Sequence, residues 1–190
     1  MIRLDSIPPN IESSHLQSIV NFADALMRST TDEDVHFALS TDVDIADPLI
    51  SYMELHGLAT RDAMVDALAS SQHDEFLTHI LYLKDKYNVP RPFVLARYFN
   101  VQLPFELDSW TVNSGSYPSG HAASSRFLAH ELSRDFLKGH PQEDLHRCEL
   151  FSLANRIAWG RVQLGVHSMQ DIREGKRLAD QIFMPTYSYK

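Results

Sequence analysis

The sequence predicts an all-α fold: a single helical domain with a core helix bundle, its functional site at helix ends and along a Pro-rich connection over 90–118. Three observations lead there. Apolar residues recur at helical spacing in several stretches. No stretch of any length alternates apolar and polar residues as a half-buried strand does. The chain's 190 residues, 44% of them hydrophobic, suffice for one domain with a buried core.

Taken in order, 14–27 carries Leu16, Ile19, Val20, Phe22, Ala23, Leu26 and Met27 close to helical spacing and reads as a first helix. Residues 32–47 are acidic and irregular, so they read as a loop with at most one helical turn. Two short helices follow over 48–58 and 61–68, parted at Gly57. A clearer one covers 71–86, with Phe76, Leu77, Ile80, Leu81 and Leu83 as its buried stripe. From 90 to 118 the pattern stops. Pro90, Pro92, Pro104 and Pro118, with the run Asn113-Ser114-Gly115-Ser116, predict a long connection holding short helical pieces. Long connections in compact domains are functional or disordered, and the aromatic residues here (Phe93, Tyr98, Phe99, Phe105, Trp110, Tyr117) argue for an ordered one. Helices resume over 119–137, 143–158 and 167–184, where Pro185 stops the last.

Composition narrows the function classes. A formal net charge of -8 speaks against broad binding to nucleic acid or to an anionic membrane. No apolar run approaches the roughly 18 residues of a spanning helix, so no membrane insertion is expected. The first residues lack the apolar core and cleavage site of a secretory leader. Cys148 is the only cysteine and permits no internal disulfide. A cytoplasmic location is the expectation, with a processed precursor as the other option.

Three polar clusters stand out from this acidic background. In Pro118-Ser119-Gly120-His121, Ser119 is a favoured helix N-cap ahead of an apolar-periodic stretch. Gly120 lets a ligand approach the backbone, and free N–H groups at the positive end of a helix bind anions. Upstream, Lys84 near a helix end is followed by Arg91 between two prolines, which restrict its backbone. A guanidinium fork matches two phosphate oxygens, while an ammonium acts as a point charge. Downstream, Arg161 precedes His167 and Asp171. If His167 opens the last helix, Asp171 lies one turn on and on the same face, where it can hold one ring nitrogen and leave the other outward. Each cluster alone is ordinary: a capped helix, a solvated arginine, a surface His–Asp pair. All three together, in this order, are not accidental.

This ordered set resembles the signature of the type 2 phosphatidic acid phosphatase superfamily, which includes soluble bacterial acid phosphatases, membrane lipid phosphatases and vanadium-dependent haloperoxidases. The likeness covers about 84–171, and the Gly115-Ser116-Tyr117-Pro118-Ser119-Gly120-His121 run with Arg91-Pro92-Phe93 looks most like the soluble acid phosphatases. It implies a catalytic core over 71–185 within one domain of 1–190, and residues 1–70 match nothing in the family pattern. It further implies that Lys84, Arg91 and Arg161 grip phosphoryl oxygens, with Ser119 and the Gly120 N–H completing the cradle. His167 would attack phosphorus, Asp171 would orient it, and His121 would exchange the proton of the leaving alcohol and then of water. No metal or other cofactor is required on this pattern, and vanadate is expected to mimic the transition state. One departure is Gly160, where the family has Ser before the third-motif Arg: a hydroxyl is lost and a backbone N–H remains. The expected activity is phosphatase action on soluble phosphomonoesters, nucleotides among them, in preference to lipid phosphates. A haloperoxidase and a phosphate-binding module without turnover are the alternatives. The oligomeric state stays open, a homodimer included.

Overall fold

The structure is a computed structural model that describes residues 13–104 and 114–184, and among these every regular element is helical. The described residues form nine α-helices in the order α1 (Ser13–Ser29), α2 (Asp32–Val43), α3 (Asp47–Leu55), α4 (Arg61–Ala69), α5 (His73–Tyr87), α6 (Pro92–Tyr98), α7 (Gly120–Leu132), α8 (Glu143–Gln163) and α9 (Met169–Phe183). A π-helical turn, Ser133–Leu137, extends α7. The all-α expectation holds. None of the described helices is long and apolar enough to cross a membrane.

The bundle is organised around α7, which packs against α5, α8 and α9. Ten of its thirteen residues are buried, so it carries no solvent face to speak of. Its small residues Ala122, Ala123, Ser124, Ser125 and Ala129 let neighbouring helices come close. Gly175 of α9 lies at the start of α7, where a Cβ would overlap the Ser119 carbonyl oxygen. At one end Leu128, Leu132 and Leu150 meet Leu49, Ile50 and Met53 of α3. Toward the other, Phe127 and Ala123 meet Phe76 and Ile80 of α5 and Ala179 of α9. Each fully buried Leu, Ile or Phe contributes about 1.5–3 kcal/mol, so these contacts fix where the start of α7 sits.

The stretch 32–47 departs from the sequence reading, because most of it is the regular helix α2. Its acidity is the reason it forms: Asp32, Glu33 and Asp34 fill the first turn, where the helix dipole favours negative charge. Thr31 caps it, its hydroxyl accepting from the Asp34 N–H at 3.2 Å. Only Ala38 and Thr41 of α2 are buried, so no apolar stripe betrays it. The predicted helix over 119–137 changes to π geometry at Ser133. The helix predicted to end at 158 runs on to Gln163, which puts Gly160 and Arg161 inside it. The last helix begins at Met169 with Ser168 as N-cap, so His167 lies before it rather than in its first turn. In the 90–118 connection α6 is the short helical piece; Phe105 and Trp110 fall outside the described residues.

Candidate active site

Four chain segments deliver the predicted residues to one place. Lys84, buried in the last turn of α5, reaches across to the connection and donates to the carbonyls of Gly115 at 2.9 Å and Ser116 at 3.3 Å. Its Cε would lie 3.8 Å from a Cβ on Gly120, which seats the ammonium beside the start of α7. Arg91 is the N-cap of α6, with Pro92 in the first helical position. Its guanidinium donates to the Ser114 carbonyl at 3.0 Å, the Val166 carbonyl at 3.0 Å and the Ser114 hydroxyl at 3.2 Å. Two bulky cations, Arg91 and Arg161, are thereby almost wholly buried.

Ser119 caps α7 as the sequence predicts, accepting from Ala122 N–H at 3.4 Å, and its own N–H donates to the Asp171 carbonyl at 3.0 Å. The cap occupies a lone pair and leaves the hydroxyl proton available for an anion. Gly120 opens the helix, so its N–H has no partner four residues back. α8 ends in a turn at Gly165, whose φ of +65° suits glycine. That turn returns the chain on itself, with Val166 and His167 N–H groups both donating to the Arg161 carbonyl, and so brings His167 back over α8.

His167 and Asp171 meet although His167 is outside the helix: Nδ1 lies 3.5 Å from Oδ2. The carboxylate is held by a capping box, Oδ2 accepting from Ser168 N–H at 2.7 Å, and by the Ser116 hydroxyl at 2.5 Å. On the other side of the ring, Arg91 Nη1 stands 3.3 Å from Nε2. A guanidinium can only donate, so Nε2 is the acceptor and the ring proton sits on Nδ1 toward Asp171. Burial, only partly offset by Asp171, keeps His167 well below the ordinary histidine range, so it is neutral at pH 7. Burial raises Asp171, but the contacts from His167, Ser116 and Ser168 outweigh it and leave the carboxyl below its ordinary value.

His121, second residue of α7, faces α2. Its Nε2 is 3.2 Å from Asp42 Oδ1, and the same oxygen is 2.9 Å from Arg161 Nη2. Burial lowers His121 to about 4, with Asp42 opposing and Arg161 and Lys84 adding to the fall. Burial together with Arg91 lowers Lys84 to about 7, and burial with Arg161 lowers Arg91 to about 10. All three fall first because they are buried and next because other cations stand beside them.

A cavity of about 450 Å³ opens on Lys84, Arg91, Gly120, His121 and His167, and its far wall is apolar, with Val43, Ile45, Leu77 and Leu81. Thus Lys84, Arg91, Gly120, His121 and His167 share one space. Arg161, Ser119 and Asp171 stand directly behind it through Asp42, the α7 cap and His167. Sequence reasoning missed Asp42, Ser114 and Ser116. The last two belong to the motif-rich connection that drew attention, whereas Asp42 carried no local signal at all. Gly160 also gains a reason: a Cβ there would sit 2.8 Å from the Ala38 Cβ, so glycine is what lets α2 lie against α8. Inside a helix its N–H is committed to the carbonyl four residues back, so the backbone contact that the sequence left open is not offered. Among the described residues no group of three or more His, Cys, Asp or Glu is arranged to hold a metal ion.

Cations and two imidazoles thus border one cavity. The PAP2 superfamily model matches residues 65–179, and the chain belongs to that superfamily. The crystal structure of a transmembrane PAP2-type phosphatidylglycerolphosphate phosphatase from Bacillus subtilis superposes with a TM-score of 0.52 at 16% identity, covering 94% of this chain and 90% of that one. That likeness is one of fold. No curated protein matches the sequence. Family membership supports a phosphatase, a hydrolase of phosphate esters.

Proposed function

We propose that the protein hydrolyses soluble phosphomonoesters without a metal, through a phosphohistidine formed on His167. One observation carries this reading: His167 has one nitrogen toward Asp171 and the other against Arg91, in the cavity that Lys84 and His121 also line. Simple anion binding needs no oriented nucleophile, which sets the binding-module alternative aside.

In the reaction, Lys84, Arg91 and Arg161 neutralise the non-bridging oxygens, with the Ser119 hydroxyl and Gly120 N–H as further donors. His167 Nε2 attacks phosphorus with its lone pair, the P–N bond forms and the P–O bond to the alcohol breaks. Asp171 stabilises the charge that His167 acquires. The His121 imidazolium gives its second ring proton to the alcohol oxygen and becomes neutral; water then returns a proton to that nitrogen as it attacks phosphorus, the P–N bond breaks, and inorganic phosphate leaves. Both imidazoles end as they began. The apolar far wall favours an alcohol with an apolar part over a bare sugar. Vanadate would occupy the same seat as a transition-state mimic, and halide oxidation with vanadate and peroxide separates the haloperoxidase alternative.

The experiment is release of inorganic phosphate from p-nitrophenyl phosphate and a panel of phosphomonoesters in EDTA. Expected are turnover in the parent, its loss in His167→Ala and an acid-labile phosphoenzyme on rapid quench. Turnover that persists in His167→Ala refutes the mechanism, and loss of activity in EDTA refutes metal independence.

A further inference from the structure

The carboxylate of Asp42 has no counterpart in the motif set, and α2 lies outside the residues that match the family. Yet it is the group through which Arg161 and His121 are joined. Arg161 has a side chain 0% exposed, and an unpaired guanidinium at such depth is costly. Its Nη2 meets Asp42 Oδ1 at 2.9 Å, and Nε2 of His121 meets the same oxygen at 3.2 Å. The arrangement repeats the one around His167, where Asp171 holds one ring nitrogen and leaves the other to work.

We propose that Asp42 is a positioning residue for the acid–base step: its carboxylate, at ion-pair distance from His121 Nε2 and Arg161 Nη2, keeps the Nε2 side of the ring turned to α2, so that His121 offers Nδ1 to the leaving oxygen and the Arg161 guanidinium stays in place. This rests on the phosphatase reading above. The charge balance around His121 supports it. Arg161 from α8 and Lys84 from α5 both disfavour a proton on the ring, and burial does so more strongly. Arg91, His167 and His73 border the same cavity and bring no negative charge. Asp44 also borders it, but its carboxylate accepts from the Ala46 and Asp47 N–H groups at 2.9 and 3.0 Å. Asp42 is the anion that meets the ring itself, and a leaving group can be protonated only by a ring that carries a proton to give.

The contrast between leaving groups tests this. In Asp42→Asn, which keeps the shape and loses the charge, turnover of an alkyl phosphate is expected to fall about a hundredfold, the low end of what a general acid supplies. Turnover of p-nitrophenyl phosphate, whose leaving oxygen needs little help, is expected to fall only a few-fold. The alkaline limb of the kcat profile moves to lower pH, because removing the anion makes His121 give up its proton sooner. KM changes less than kcat. A thermal melt distinguishes a misfolded variant, and nitrogen-15 NMR of the histidine rings reads the tautomer without turnover: the parent keeps the His121 proton on Nε2, and Asp42→Asn loses that preference.

Equal losses on both substrates with an unmoved pH limb overturn the proposal. So does a rise in kcat/KM or in phosphate affinity, which would make Asp42 an internal anion blocking the seat. A parent enzyme that releases no phosphate refutes the function proposed above, and the tautomer measurement still decides Asp42 on its own.

Discussion

Replacing Gly160 by serine restores the hydroxyl that the family pattern has and tests how closely α2 is tied to the site. A Cβ at 160 would stand 2.8 Å from Ala38 Cβ and 3.3 Å from its Cα, where ordinary contact begins at 3.4 Å. The neighbour is the short side chain of a helix, with no flexible end to swing aside, so α2 must retreat by roughly 0.6 Å or tilt. Overpacking of this kind costs about 1–3 kcal/mol. Glycine to serine in a helix returns about 0.5 kcal/mol of propensity, so the packing term wins. At about 2–4 °C per kcal/mol for a chain of this size, the net cost of about 0.5–2.5 kcal/mol lowers Tm by about 1–10 °C. Asp42 is one turn beyond Ala38 on the same face and moves with it. Its ion-pair contacts at 2.9 and 3.2 Å then lengthen and weaken. The assay is a thermal melt with kcat on an alkyl phosphate, expected to drop at least about tenfold. Ala38→Gly in the same chain makes room and should restore kcat, though not all of Tm, since glycine weakens α2. A Gly160→Ser enzyme with parental Tm and kcat would refute the account of how α2 is seated.

Two further outcomes follow from the geometry. Lys84 falls from its ordinary 10.5 to about 7 in the folded protein, so the unfolded state holds more protons between those values and stability of the empty protein rises with pH across that window. A bound anion restores the lysine's charge, so the stabilisation given by sulfate, whose own charge is constant here, should weaken from pH 7 to 9 by up to about tenfold in affinity per unit. In Lys84→Met that slope should vanish, and a slope that persists would exonerate Lys84. Gly175→Ala would push a methyl onto the Ser119 carbonyl and to 3.1 Å from Ala123 N, parting α9 from the start of α7. A Tm loss of several degrees is expected, at about 1–3 kcal/mol of overpacking, with kcat falling as Ser119 moves; unchanged values would refute the contact.

How much of this could be read beforehand depends on which physical signal each residue leaves in the chain. Helices with an apolar stripe, such as α1 and α5, were legible because burial imposes a period. The start of α7 was legible because a serine cap and a glycine have few other uses together. α2 was not, since it is held by a glycine contact at Ala38 and a charge contact at Asp42, neither of which repeats along the sequence. The end of α8 was misread because Gly160 looks like a breaker until its neighbour from another helix is known. His167 and Asp171 were paired correctly for an incomplete reason. Their meeting owes as much to the capping box and Ser116 as to helical spacing.

The far wall of the cavity and its cationic floor come from different parts of the chain. Residues 43–46, at the close of α2 and the bend after it, border the space the alcohol would fill, while Lys84 and Arg91 are hooked to carbonyls of the connection between α6 and α7. On the proposed function, selectivity is therefore separable from the phosphate machinery. A library confined to Val43, Asp44, Ile45 and Ala46 would recut the acceptor side of the pocket while leaving every group that touches phosphorus in its place.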